Sequence, residues 1–166
     1  MPLVTIVIGW QGPYTLERIY GSELGNGLYF VSGLTKHKKK NEIRYFGITE
    51  RLYRERLKDR RHAVELVTRK RQIWLGQIEY PASFDRDHLE LAEGCLIYYW
   101  GVSELNKKKL AKPPKPVCLI SRWLKPNGEV RMNRRYIYRD LPDVLWWDGQ
   151  YWRTGNLKPT FRRLSA

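Results

Sequence analysis

A chain of 166 residues that is 42% hydrophobic and 13% aromatic, with seven Trp, carries enough apolar surface for one packed domain, which excludes a disordered basic tail. Its 31 Lys and Arg against 17 Asp and Glu give a formal net charge of +14, an excess that favours polyanions through counterion release, nucleic acid first among them. No apolar run approaches the roughly 20 residues needed to span a bilayer, and the apolar start "MPLVTIVIGW" lacks a positive n-region and a cleavage site. A cytoplasmic protein with no membrane partner is therefore expected.

In chain order, the β-branched "LVTIVI" (3 to 8) reads as a strand broken by "QGP" at 11 to 13. "GLYFVS" and "IRYFGI" are the next two strands, joined by the lysine-rich "GLTKHKKKNE", and together predict a hairpin with a cationic loop. Thr49 is the expected cap of a helix over about 50 to 61, "ERLYRERLKDRR", with Leu52, Tyr53 and Leu57 on one face and Arg56 and Arg60 beside them. "RQIWLGQIEY" (71 to 80) predicts a third strand of the same sheet, ended by Pro81. Ser83 or Asp85 then caps a second helix with Leu89, Ala92, Leu96, Ile97 and Trp100 as its buried stripe. Glu93 falls within that stripe, whereas Glu90 falls outside it and is expected to face solvent.

Lysines and prolines in "NKKKLAKPPKP" (106 to 116) mark a composition break. Residues 1–110 are read as one domain with an extra N-terminal strand, and 111–166 as a β-rich, aromatic and basic extension packed on it. In that extension "VCLISRWL" and "EVRMNRRYIY" flank the turn signal "KPNG", and Asp148-Gly149 sits in a second hairpin, "VLWWDGQYWRT". Cys95 and Cys118 have no paired-ligand spacing, and His37, His62 and His88 are scattered, so neither a zinc centre nor a disulfide framework is expected.

Tyr29 and Tyr45 on half-buried strands read, by themselves, as packing. Charged residues on apolar faces carry more information, because an unpaired buried charge costs several kcal/mol. Arg56 and Glu93 are such residues. They are either a salt bridge between the two helices or two walls of a polar cleft, where a carboxylate holds a divalent cation and an arginine meets a phosphate.

"GLY" at 27 to 29, "YFG" at 45 to 47, an arginine in the following helix, "AEGCLI" at 92 to 97 and "LN" at 105 to 106, in this order, resemble the GIY-YIG nuclease family over roughly residues 25 to 107. The resemblance implies a small α/β (α+β) fold, a three-stranded antiparallel sheet flanked by helices, here with a β-hairpin C-terminal extension. It implies a metal-dependent endonuclease that hydrolyses phosphodiester bonds in DNA with one Mg²⁺ or Mn²⁺. Tyr29 would activate water, Tyr45 would position it, Arg56 would stabilise the transition state, Glu93 would bind the metal, and Asn106 would be the late asparagine. Arg54 or Arg60 remains open as the main arginine, and Arg60 or His62 as an accessory group.

A restriction-type, mobile-element or phage enzyme is the leading expectation, with a homodimer on DNA as one route to a double-strand cut. A structure-selective repair nuclease and a catalytically silent nucleic-acid-binding module are the alternatives. Lys36, Lys38, Lys39, Lys40, Arg69, Lys70 and Arg71 are expected to track phosphates, and Trp123, Trp147 and Trp152, with Arg134 and Arg135, to grip or stack on the nucleic acid. Solvated surface lysines and tryptophans packed under the hairpins are the competing structural readings.

Overall fold

In a computed structural model, residues 3–59, 63–101, 112–132, 141–158 and 160 are described. In chain order they form β1 (Val4–Tyr14), α1 (Leu16–Tyr20), β2 (Gly25–Thr35), β3 (Glu42–Leu52) and α2 (Tyr53–Leu57). A 3-10 turn (Ala63–Leu66), β4 (Val67–Tyr80), α3 (Arg86–Trp100), β5 (Val117–Leu124), β6 (Val144–Trp147) and β7 (Trp152–Gly155) follow.

The strands make one seven-stranded mixed sheet in the order β3-β2-β4-β1-β5-β6-β7. This corrects the expected small three-stranded sheet flanked by helices. The antiparallel triplet β3-β2-β4 is present, but it is less than half of the sheet, and α3 is the one long helix among the described residues. The physical reason lies in β1. Its alternate residues Ile6, Ile8 and Trp10 are completely buried on one face, which seats the strand inside the sheet rather than at its margin. It pairs antiparallel with β4 and parallel with β5, so the sheet runs unbroken past the composition break at 106 to 116. Strand β1 also extends through "QGP" to Tyr14.

The helix expected over 50 to 61 is also corrected. Strand β3 continues to Leu52, which pairs with Gly25, and the helix that follows covers five residues. Pairing along β2 overrides local helix propensity here. Thr49 Oγ1 accepts from the Arg51 amide at 3.0 Å instead of capping a helix. Helix α3 forms where its sequence predicts, with Trp100, expected in the buried stripe, half-buried instead. Asp85 and His88 form a reciprocal capping box, and Leu89, Ala92, Cys95, Leu96 and Ile97 are its buried residues.

Alternation along β2 and β3 separates two apolar clusters. Leu28, Phe30 and Phe46 join Trp10, Trp74, Trp123 and α3 on one face. Tyr29, Val31 and Tyr45 join Tyr53 and Leu57 of α2 and Ile19 of α1 on the other. The β6–β7 hairpin turns at Asp148, whose Oδ1 accepts from the amides of Gln150 and Tyr151 at 2.8 and 2.7 Å. The stretch following "KPNG" is described only as far as residue 132, where Val130 bridges back to Leu124. Among the described residues no helix is long and apolar enough to cross a membrane.

Candidate functional site

Strand β3 is the outermost strand of the triplet, and a cleft of ≈ 580 Å³ lies along it. Because neighbouring residues of a strand point to opposite faces, the cleft draws on both. Tyr45, Thr49 and Arg51 enter it from the α2 side, and Ile48 and Glu50 from the α3 side. Arg56 of α2 and Arg86, Glu90 and Glu93 of α3 complete the walls.

The two glycine-tyrosine motifs have a common structural logic. Tyr29 lies opposite Gly47, and a Cβ on Gly47 would stand 2.4 Å from the Tyr29 hydroxyl and ring. The glycine of "YFG" is thus the seat of the tyrosine of "GLY". A Cβ on Gly27 would likewise stand 2.2 Å from the hydroxyl of Tyr53, which donates to the Gly76 carbonyl at 3.0 Å. The rings of Tyr29 and Tyr45 are 6.0 Å apart and tilted, and Tyr53 meets Tyr29 edge-on at 6.3 Å.

Tyr29 is fully buried and is not on the cleft wall, whereas Tyr45 is half-buried and on it. The Tyr29 and Tyr45 hydroxyls are hydrogen-bonded to each other. Burial is the main cause that pushes the Tyr29 phenol above its ordinary value, with Tyr45 and Glu93 adding to the rise and Arg56 opposing it. Tyr45 is also raised, first by burial. Arg56 and the bond with Tyr29 both favour its phenolate, and Glu93 opposes it. Both phenols are raised, and of the two Tyr45 is the one that reaches the cleft and has Arg56 as the largest opposing influence.

Asp59 Oδ2 accepts from both Arg56 Nη1 at 3.1 Å and Arg51 Nη2 at 2.7 Å, so one carboxylate holds two guanidiniums side by side. Those two arginines keep the Asp59 carboxyl below the usual range, the bond from Arg51 first. Arg54 does not line this cleft. It faces Glu23 at 3.9 Å. Arg86 bridges Glu90 at 3.1 Å and Glu50 at 3.3 Å. Glu90 is exposed, as expected, yet it belongs to the cleft wall. Arg51, Glu50 and Arg86 were not singled out by the sequence, although the i, i+4 spacing of Arg86 and Glu90 is a visible pairing signal.

Among the described residues no three of His, Cys, Asp and Glu gather to hold a metal ion. The donors present are hard carboxylate oxygens of Glu93, Glu90 and Glu50 along one cleft. That set fits Mg²⁺ or Mn²⁺ held by one carboxylate and water rather than by an all-protein cage. Arg60, His62, Asn106, Arg134 and Arg135 lie outside the described residues.

Of the residues expected to meet nucleic acid, Lys36, Lys38, Lys39, Lys40, Arg69 and Lys70 are exposed, and Arg71, half-buried, donates to the Val64 carbonyl at 3.2 Å. The tryptophans are engaged in packing. Trp123 is 4% exposed, stacks on Trp10 at 6.2 Å and donates to Asp143 at 2.9 Å. Trp147 and Trp152 pack on each other at 4.8 Å and on Tyr98 and Tyr99 of α3. Their rings fasten the hairpin to the helix, so stacking on bases would require unpacking it. Compared with family models, with curated proteins and with solved structures, the chain shows no match in any of the three.

Proposed function

We propose that the protein is a metal-dependent endonuclease that hydrolyses phosphodiester bonds in DNA, as its resemblance to the GIY-YIG nucleases implies. The observation that carries this reading is the convergence of Tyr45, Arg56 and Glu93 on one cleft, with Tyr29 bonded to Tyr45 from behind. These residues come from two strands and two helices, and cationic and anionic groups alternate around the space they enclose. A phosphate and a divalent cation bring the complementary charges.

Glu93 is the residue that would hold Mg²⁺ or Mn²⁺. The ion, when bound, supplies positive charge to a non-bridging oxygen and to the leaving oxygen. Arg56, with Arg51 held beside it by Asp59, donates to the phosphate oxygens on which charge builds. Tyr45 accepts the proton of the attacking water. Tyr29, sealed behind it, donates its hydroxyl hydrogen to Tyr45 and so lowers the cost of the Tyr45 phenolate. The proton-accepting role expected for Tyr29 thus moves one strand outward.

The test is supercoiled plasmid incubated with the protein or with Glu93→Gln, in Mg²⁺ or in EDTA. Metal-dependent nicking or linearisation, reduced at least about 100-fold in the variant, is the expected result. Intact plasmid under every condition, or cutting equal in protein and variant, would sink the proposal.

A further inference from the structure

The β2–β3 loop, residues 36–41, reads "KHKKKN" and contains no carboxylate. All six residues are exposed. A lysine run that serves only solubility has no need of a fixed backbone, since each solvated ammonium does its work in any conformation. This loop is fixed from both sides.

From β3, Arg44 is 6% exposed and spends its guanidinium inward. Its Nε donates to the Gly33 carbonyl at 3.0 Å, its Nη2 to the Lys40 carbonyl, and its Nη1 to Glu42 at 2.8 Å. Glu42 is the carboxylate bordering the loop, and this bond engages it. From β4, Arg69 Nη2 donates to the carbonyls of Thr35 at 3.3 Å and Lys38 at 3.0 Å. The Lys38 amide closes a turn on Thr35 at 3.1 Å, and His37 takes the left-handed backbone conformation at φ 69°. Lys70, next to Arg69, is also left-handed at φ 53° and exposed. Burying most of one guanidinium and using another to order a loop of like charges works against their mutual repulsion. A partner whose anionic groups recur at short, regular spacing offsets that repulsion.

We propose that this loop is a prebuilt contact for the phosphate backbone of duplex nucleic acid, with Lys36, Lys38, Lys39 and Lys40 as phosphate ligands and Arg44 and Arg69 as the residues that position them. The placement next to the cleft rests on the nuclease reading above. Glu42 stands three residues from Tyr45 on β3, about 10 Å along the strand. Duplex DNA carries one charge per about 1.7 Å of its axis, so a backbone bound at Tyr45 brings further phosphates within reach of the loop.

The test is equilibrium binding of the full chain to a random-sequence 30-base-pair duplex in EDTA, over a series of salt concentrations. EDTA separates binding from cutting. A protein that binds through the loop but never cleaves keeps this proposal and sinks the catalytic one. The variant carrying Lys→Ala at 36, 38, 39 and 40 is expected to bind about tenfold more weakly. Its slope of log affinity against log salt should be smaller by about 2, the loss of two to three phosphate contacts.

Arg69→Ala, which leaves all four lysines in place, is expected to bind about threefold more weakly with an unchanged thermal midpoint. Wild-type affinity and slope in the fourfold variant would overturn the proposal. Wild-type binding by Arg69→Ala would overturn the prebuilt geometry. Loss of binding to anionic vesicles in place of duplex would assign the loop to a lipid surface and overturn it as well.

Discussion

The two ends of the sheet are built from similar materials and put them to opposite uses. At the β3 end, Tyr45 meets Arg51 and Arg56 in a cleft, with Tyr29 packed behind it and Tyr53 behind that. Towards the β7 end, Trp147 and Trp152 meet Tyr98 and Tyr99 and close into solid packing, and Trp123 of β5 is buried against Trp10 and Trp74. The difference comes from geometry. Along β3, charged side chains of α2 and of one stretch of α3 stand between strand and helix, whereas the β6–β7 hairpin meets α3 through the rings of Tyr98 and Tyr99. Aromatic and cationic composition alone does not distinguish a nucleic-acid grip from a core. Which rings are left with an open face does.

The largest expected effect that would break this comparison is at Trp123. Trp123→Ala should cost about 3–5 kcal/mol in denaturant unfolding, with duplex affinity per folded molecule unchanged. A variant of normal stability that loses affinity would return Trp123 to the binding surface. At the other end, Arg56→Ala should reduce plasmid cleavage by about 10²–10³ while stability stays within about 1 kcal/mol, since its ion pair with Asp59 is partly exposed. Equal losses of rate and stability would make Arg56 a structural residue.

pH separates the ends further. Because the Tyr45 phenol lies above its ordinary value, the population of its phenolate grows about tenfold per pH unit through the neutral range. Cleavage should rise with it, and Tyr45→Phe should flatten the profile. The stability effect has its own sign. Burial raises Tyr29 and Tyr53 above the ordinary phenol value, so the unfolded chain ionises first. Stability should be level in these groups below about pH 10 and fall above it, measurable as a decreasing denaturant midpoint. The smallest effect is expected for Asp59→Ala, which frees Arg51 and Arg56 from each other and should slow cleavage about threefold. An unchanged rate would mean that Arg51 is a bystander.

Much of the triplet and of α3 was legible because its signals are local. Turn residues bound β2 and β3, Asp85 stands among the two expected caps of α3, and Asp148-Gly149 marks the last hairpin. The width of the sheet was not legible. Residues Val4 to Gln11 pair with Val117 to Leu124, and parallel pairing across such a separation leaves no periodicity or turn to read. The helix over 50 to 61 was overestimated for a related reason, since a partner strand decided the state of Leu52. Of the cleft, the sequence singled out residues whose charge sits on an apolar face, Arg56 and Glu93. Arg51 and Arg86 are ordinary exposed arginines until the fold sets them opposite one another.

The pairing of β1 with β5 has a consequence for how the chain comes into being. Strand β1 leaves the ribosome well before its parallel partner, since the Trp10–Ser121 hydrogen bond at 3.0 Å joins residues 111 positions apart. At about 5–20 residues per second, the "VTIVI" segment waits at least several seconds for that neighbour, and β4 arrives only part-way through. Its edge and its isoleucines are exposed throughout that interval. Nascent-chain aggregation and chaperone engagement should therefore concentrate on β1 and end when β5 is released.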